Sequence, residues 1–443
     1  VGRRFFGTDG IRGRVGEHPM TVDFALRLAS AAAQVLGPGT VLIGKDTRLS
    51  GYLFEAALEA GFVAAGVDVL LSGPLPTPAV AYMTRRLDCS FGIVISASHN
   101  AYEDNGIKFF DREGGKLSDE IEEQIEARLE AEPLTRNSRE LGRARRVDTL
   151  RVRYQEYCAS LMPAGMDLSG LKLVIDCANG AAYKVAPRIL ADLGADIVPV
   201  GCSPNGRNIN DGCGSTSPAL LQLTVPGVRA QAGIALDGDG DRLVMVDHLG
   251  RVLDGDQLLY ILAAARHAEG SLRGPVVGTV MSNFGLERAL RRMGVEFVRA
   301  AVGDRYVLAK LREHSGHLGG ETSGHIISLD RATTGDGLIN ALQVLSVMKR
   351  SGRSLAELAA SMEKLPQVLL NVTVERRFDP LTVPAVAGAM HKVEQHLGED
   401  GRVVLRASGT EPVIRVMVEG RDESDIRGCA EDIAAAVRAA AAA

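Results

Sequence analysis

The 443-residue sequence predicts an α/β protein of three like domains followed by a smaller α+β domain, and three observations predict it. Between residues 23 and 71 apolar helix and strand patterns alternate: a helix over 23–36, a strand over 41–44, a helix over 50–65 and a strand over 67–71. The junction of the second helix and strand then recurs. Ala65-Gly66-Val67-Asp68-Val69 is echoed by Leu193-Gly194-Ala195-Asp196-Ile197 and by Met293-Gly294-Val295-Glu296-Phe297. Each echo follows an apolar helix and opens a strand, and each helix follows an earlier strand, at 41–44, 173–176 and 276–280. Copies spaced by roughly a hundred residues imply three domains of one design. Past Pro366 the order changes to a strand over 368–374, a helix over 383–397, strands over 403–407 and 413–419, and a last helix over about 423–443 whose alanine run frays. The expected domains are 1–145, 146–254, 255–365 and 366–443. The charged stretch 130–146, including Arg143-Ala144-Arg145-Arg146, reads as a solvated linker.

Composition excludes several classes of function. With 46% hydrophobic and 24% charged residues the chain reads as an ordinary globular protein. A net charge of −5, a pI near 6.1 and the lack of a basic stripe interleaved with aromatics give no reason to expect nucleic acid. No apolar run reaches the ~18 residues needed to span a bilayer, and the start Val1-Gly2-Arg3-Arg4 carries no signal-peptide core, so no membrane partner is expected. The six cysteines (89, 158, 177, 202, 213 and 429) form no C-x-x-C pair; reduced thiols, a cytoplasmic location and no zinc site are the expectation.

A polar motif follows each echo. In the first domain the strand from Phe91 runs into Ser96-Ala97-Ser98-His99-Asn100. There is no G-x-S-x-G elbow, and neighbours on a strand point to opposite faces, which places His99 poorly to deprotonate Ser98. A serine can instead carry a phosphoryl group, and the chain must then supply a divalent cation and cationic clamps. The second motif, Asp237-Gly238-Asp239-Gly240-Asp241-Arg242, supplies the first need: in extended geometry three alternate carboxylates project to one side, and Mg²⁺ relieves their repulsion. An EF-hand is excluded by Arg242 at its turn glycine and His248 at its bidentate glutamate; a solvated acidic turn is the other reading. In the third motif, Gly320-Glu321-Thr322-Ser323-Gly324-His325, Glu321 and Ser323 can bond vicinal sugar hydroxyls and His325 can move a proton, or the whole is a Gly-rich turn. Equivalent loops of like domains can face one cleft.

Cations are not lacking. Lys108, among apolar neighbours in 105–110, is expected to have a pKa lowered by desolvation and to suit proton transfer, or to be an exposed edge-strand lysine. The segment 6–13 combines glycines with Arg12, which reads as an anion-binding loop or a plain turn. In the fourth domain Arg406, Ser408, Gly409 and Thr410, with Arg415 beyond, suit a phosphate monoester.

In this order and over nearly the whole chain, these motifs resemble those of the α-D-phosphohexomutase superfamily. The segments 6–13, 105–110 and Thr333-Thr334-Gly335-Asp336-Gly337 are most similar to its bacterial phosphoglucosamine mutase branch. The resemblance implies three α/β domains with mixed sheets and a smaller α+β domain around a central cleft. It implies a phosphorylated Ser98 that also ligates Mg²⁺ with Asp237, Asp239 and Asp241, and Arg242 near the phosphoserine. Glu321 and Ser323 would bind the sugar, and Arg406, Ser408, Gly409, Thr410 and Arg415 would hold the distal phosphate. Lys108 and His325 would serve proton transfer, Arg12 would support the reacting phosphate, and His99 joins the catalytic candidates by position. The implied substrate is a hexosamine phosphate, with glucosamine 1,6-bisphosphate as intermediate and activator, a homodimeric assembly and an activating kinase. One departure is Ala101, where the family has proline after Ser-His-Asn. A phosphomannomutase or phosphoglucomutase, a Mg²⁺-dependent phosphatase and a noncatalytic sugar-phosphate sensor remain open on the residues alone.

Overall fold

The computed structural model describes residues 4–375, 378–407 and 412–442. Four sheets carry the chain. The first holds β1 (Ile11–Arg14), β2 (Thr40–Lys45), β3 (Asp68–Pro74), β4 (Phe91–Ile95), β5 (Asp104–Phe110) and β6 (Ala144–Arg146) in the order β1-β5-β4-β2-β3-β6. The second holds β7 (Lys172–Asp176), β8 (Asp196–Val200), β9 (Ala232–Leu236), β10 (Leu243–Asp247) and β11 (Val252–Leu253) in the order β11-β10-β9-β7-β8. The third holds β12 (Val276–Thr279), β13 (Phe297–Ala300), β14 (Leu318–Gly320) and β15 (Ile326–Ser328) in the order β13-β12-β14-β15. The fourth holds β16 (Gln367–Thr373), β17 (Arg402–Ala407) and β18 (Val413–Glu419), all antiparallel, in the order β16-β18-β17.

The first three sheets repeat one path. A central strand (β2, β7, β12) leads through a helix (Ser50–Ala64, Val185–Asp192, Phe284–Arg292) to a strand beside it (β3, β8, β13). A second helix (Thr77–Arg86, Ala219–Gly227, Asp304–Glu313) crosses to a strand on the other flank of the central one (β4, β9, β14), and the chain returns antiparallel (β5, β10, β15). The sheets are therefore mixed. That change of flank is where open α/β sheets leave a crevice at their strand ends. Each polar motif occupies the turn at this point, between β4 and β5, β9 and β10, or β14 and β15. Strands β4 and β9 are buried along their whole length, which explains why they read as unbroken apolar runs rather than as alternating patterns.

The echoes mark the same joint three times. Gly66, Gly194 and Gly294 have φ of 87°, 92° and 74°, and the next N–H bonds five residues back, Val67 to Phe62, Ala195 to Leu190 and Val295 to Leu290. This is the Schellman closure, which stops each helix and aims the chain into the next strand.

Two compact units are present. One comprises the chain up to Thr279 with Val298–Ala360 and contains the three polar motifs; the other comprises Val280–Phe297 with the chain from Ser361 onward and contains the fourth sheet. In the second unit Asn283 Nδ2 donates to Leu365 O at 3.0 Å, and Arg402 donates to the Val280 and Ser282 carbonyls at 2.9 and 2.7 Å. Among the described residues no helix is long and apolar enough to cross a membrane.

One expectation is corrected. The arginine run at 143–146 is not a linker: β6 extends the first sheet parallel to β3, with Val69 N–H bonded to Arg143 O at 2.8 Å and Val147 N–H to Leu71 O at 2.9 Å. Its side chains stay exposed, so the composition reads as solvated while the backbone completes a sheet edge.

Nothing lies within 4 Å of where a Cβ on Gly294 would sit, so that position isolates the backbone cost of a left-handed residue. Gly294→Ala should lower stability by about 1–2 kcal/mol and Gly294→Asn by less. Urea unfolding of the three proteins checks the order.

Candidate active site

Strand β4 ends at Ile95, and the chain turns sharply to present Ser98. The Ser98 N–H bonds to Ser96 Oγ at 3.0 Å, and its carbonyl accepts from Asn210 Nδ2 at 2.9 Å and Arg48 Nη2 at 3.3 Å. Arg48 also donates to Asn100 O at 2.6 Å and pairs with Asp46, which accepts from the Ser96 hydroxyl. Arg48 and Asp46 are fully buried, so this pair forms a rigid bracket behind the turn. Within it Ser98 is held at φ 52°, unusual for a residue other than glycine. The Ser98 hydroxyl then donates to Asp237 Oδ2 at 2.5 Å. Gly238 permits this contact: a Cβ there would lie 2.5 Å from the Ser98 carbonyl oxygen.

Asp237, Asp239 and Asp241 are all buried, and one ligand atom from each lies within 4.8 Å of the others. The extended geometry expected for them is corrected. They occupy the turn between β9 and β10, with Gly240 at φ 77°, and the turn itself gathers the carboxylates. Asp239 Oδ2 accepts from Lys108 Nζ at 2.8 Å and Thr77 Oγ1 at 2.7 Å, whereas Asp239 Oδ1 and Asp241 Oδ1 are buried without a hydrogen-bond partner. Burial, then Asp241 and Asp239, push the Asp237 carboxyl well above its ordinary range. Orphaned buried carboxylate oxygens beside a carboxyl that resists ionisation fit a hard divalent cation.

Lys108 also departs from expectation. Burial alone would lower its pKa, but Asp239 at 2.8 Å, Asp9 at 3.0 Å and Asp241 at 3.7 Å outweigh burial and hold the ammonium above its ordinary value. Lys108 is therefore a fixed cation. Asp9 pairs in addition with Arg12 and with Lys116 at 2.9 Å, and Lys116 reaches on to Asp304 at 2.7 Å.

His325 lies between carboxylates, with Nδ1 3.6 Å from Asp241 and Nε2 3.5 Å from Asp304. Burial lowers its pKa, but Asp241, Asp304 and Glu321 raise it further, to about 9. The Gly335 N–H lies 3.2 Å from Nε2, a bond that only the neutral ring accepts; on the imidazolium the Nε2 proton faces Asp304 instead. Glu321 accepts from Gly303 N–H at 2.9 Å. His99 differs: burial first, then Arg242 and Arg12, lower its pKa to about 4, and it is Asp237 rather than His99 that receives the Ser98 hydroxyl.

These groups border a cavity of about 430 Å³ whose lining includes Arg12, Ser98, Asp241, Arg242, Glu321 and His325. Backbone bonds tie the second motif to the third, with Leu243 N–H on Gly324 O at 3.0 Å and Arg242 bridged to His325. Ser323 is exposed on its turn and outside that lining. Reasoning from sequence missed Asp9, Asp304, Lys116, Arg48 and Asn210. Only Asp9, inside the quoted segment 6–13, had a local signal.

In the second unit Arg406 and Arg415 are directly opposed across β17 and β18. Burial, then the Arg415 charge, lower the Arg406 pKa. Like charges facing across a strand pair repel, and an anion between them relieves the repulsion. Ser408, Gly409 and Thr410 lie outside the described residues.

Comparison with known proteins follows this division of the chain. Models of the phosphoglucomutase/phosphomannomutase alpha/beta/alpha domains I, II and III match residues 3–136, 153–250 and 254–365, and the C-terminal domain model matches 369–436. The chain belongs to the phosphoglucomutase/phosphomannomutase family. It is 56% identical to the phosphoglucosamine mutase of Burkholderia pseudomallei (strain K96243) over 452 aligned residues, covering 100% of both chains. It is also 56% identical to the phosphoglucosamine mutase of Methylococcus capsulatus, covering 98% of each. A crystal structure of a phosphoglucomutase/phosphomannomutase family protein from Burkholderia thailandensis superposes with a TM-score of 0.81 at 25% identity, covering 98% of this chain and 97% of that one. The family architecture is thus four-domain, α/β with mixed sheets and a smaller C-terminal domain.

The buried bracket gives a test of how the serine turn is held. Arg48→Ala leaves Asp46 buried and unpaired and should cost about 3–5 kcal/mol, read as a fall in the thermal unfolding midpoint, whereas Arg48→Ala with Asp46→Ala should recover part of the loss.

Proposed function

We propose that the chain is a phosphoglucosamine mutase, interconverting glucosamine 6-phosphate and glucosamine 1-phosphate and so supplying an amino-sugar precursor of cell-wall synthesis. One observation carries the chemistry: the Ser98 hydroxyl of the first motif rests on the Asp237 carboxylate of the second, beside a cavity bordered by the third. The full-length relatives named phosphoglucosamine mutase support the substrate. They favour it over a mannose or glucose phosphate. The domains are proposed at 1–145, 146–254, 255–365 and 366–443, except that the first extends through β6 to Val147, which bonds to β3.

In the proposed mechanism Asp237, Asp239, Asp241 and the oxygen of phosphorylated Ser98 would hold Mg²⁺. When bound, the cation draws charge from the oxygens of the phosphoryl group in transfer. Substrate enters with its free hydroxyl toward Ser98, and Glu321 with Ser323 orients the sugar through its hydroxyls. The bond from phosphorus to Ser98 Oγ breaks as the sugar oxygen bonds to phosphorus. The sugar hydroxyl gives up its proton within the site and the Ser98 oxygen takes one up, so no net proton is consumed. His325, held protonated by its carboxylate neighbours, suits the donating side, and Lys108, as a fixed cation, joins Arg12 and Arg242 in offsetting the negative charge of the phosphoryl oxygens. His99, neutral near pH 7, is left a positional role.

The product of this half-reaction is glucosamine 1,6-bisphosphate. After it turns over, its 6-phosphate returns to Ser98 and glucosamine 1-phosphate leaves. Arg406, Ser408, Gly409, Thr410 and Arg415 are proposed to grip the phosphate that is not reacting, a role that suits two opposed guanidiniums. On the family resemblance we further propose a cytoplasmic homodimer, first phosphorylated at Ser98 by the bisphosphate or an activating kinase.

Incubation with labelled glucosamine 1,6-bisphosphate should add one phosphoryl group to the intact protein, seen by mass, and none to Ser98→Ala; label retained by that variant removes the nucleophile assignment. Across the 6-phosphates of glucosamine, mannose and glucose, kcat/KM should be highest for glucosamine. A maximum on another sugar overturns the substrate while leaving the phosphoserine chemistry intact.

A further inference from the structure

We propose that the second unit carries a zinc site of its own, formed by His396, Asp425 and Cys429. His396 lies in the last turn of the Pro384–Leu397 helix, and Asp425 and Cys429 lie four residues apart on the Glu423–Ala442 helix. Residues at that spacing stand one above the other on a helix face. The structure places His396 Nε2 2.9 Å from Asp425 Oδ1 and 3.1 Å from Oδ2. A ligand atom from each of the three residues lies within 4.8 Å of the others.

The short His396–Asp425 contact is a hydrogen bond and the trio spans up to 4.8 Å, so the two exposed side chains must shift by some tenths of an ångström to reach zinc spacing. Bonds of roughly 2.0–2.3 Å in a tetrahedron put ligand atoms roughly 3.3–3.8 Å apart. The donor set of imidazole nitrogen, carboxylate oxygen and thiolate sulfur is one that a borderline-soft d¹⁰ ion accepts and that Mg²⁺ does not favour. The site is therefore chemically distinct from the three aspartates. His396 and Asp425 are exposed, so solvent water can supply the fourth ligand.

The proposal departs from the expectation of no zinc site. The reading looked for ligands close in sequence, whereas here 29 residues separate the histidine from the aspartate and the packing of two helices brings them together. Zinc takes the thiolate, so binding must release the thiol proton to solvent as the metal–sulfur bond forms. A bound ion ties together two helices of the unit that also carries Arg406 and Arg415.

Cobalt(II) titrated into the full-length protein is the test, because a thiolate ligand gives a sulfur-to-cobalt charge-transfer band that carboxylates cannot give. The band should appear, zinc should abolish it by displacement, and Cys429→Ser should remove it. His396→Ala and Asp425→Asn, both at exposed positions, should weaken cobalt binding by roughly 10-fold or more. No band in the wild-type protein, or a band unchanged in Cys429→Ser, overturns the proposal. Zinc should also raise the unfolding midpoint of the wild type and not of His396→Ala; an equal rise in both overturns it as well.

Discussion

The site depends on one constraint: carboxylates drawn from three α/β domains, three of them buried and two half-buried, are gathered together, and fixed cations must balance them. Asp9, Asp237, Asp239, Asp241 and Asp304 would repel one another out of any compact arrangement if left alone. Lys108 and Lys116 bridge them in sequence, from Asp239 through Asp9 to Asp304. Breaking a buried bridge leaves its partner charged in a poor solvent, so the network holds the three motif turns in mutual register as well as setting the field around Ser98. What the lysines do not cover, the Oδ1 oxygens of Asp239 and Asp241, are the atoms a divalent cation would take.

The repeated sheet path makes this convergence possible. Because the chain changes flank at the same step in each of the three sheets, one kind of turn recurs in each, placed at a strand end. Each copy has been given a different chemistry: a hydroxyl, a set of carboxylates, and a glutamate with an imidazole. The Schellman glycines are the quieter half of the repeat, since they fix how each helix hands over to its strand and hence where the sheets begin.

Much of this was legible in the sequence. Apolar periodicity and the glycine junctions report local structure, and the three motifs announce themselves because Ser98, the aspartates and Glu321 with His325 each follow an apolar strand. What could not be read depends on partners distant along the chain. Lys108 looked like a lysine about to lose its proton because the carboxylate that holds it charged is Asp239, 131 residues away. The grouping of Asp237, Asp239 and Asp241 was foreseen from alternation along a strand, yet the turn produces it. Asp304 opens a helix with no neighbour in sequence to mark it. The arginines of β6 misled because side-chain chemistry says nothing of what a backbone pairs with.

The left-handed backbone at Ser98 bears on which hydroxyl can serve there. A threonine would bring a methyl branch at Cβ into a conformation that branched residues resist, beside a carbonyl already gripped by Asn210 and Arg48. Threonine is chemically as able to form a phosphate ester, but its shape suits extended chain rather than this bend. The choice between the two alcohols is thus made by the main chain, before any substrate arrives.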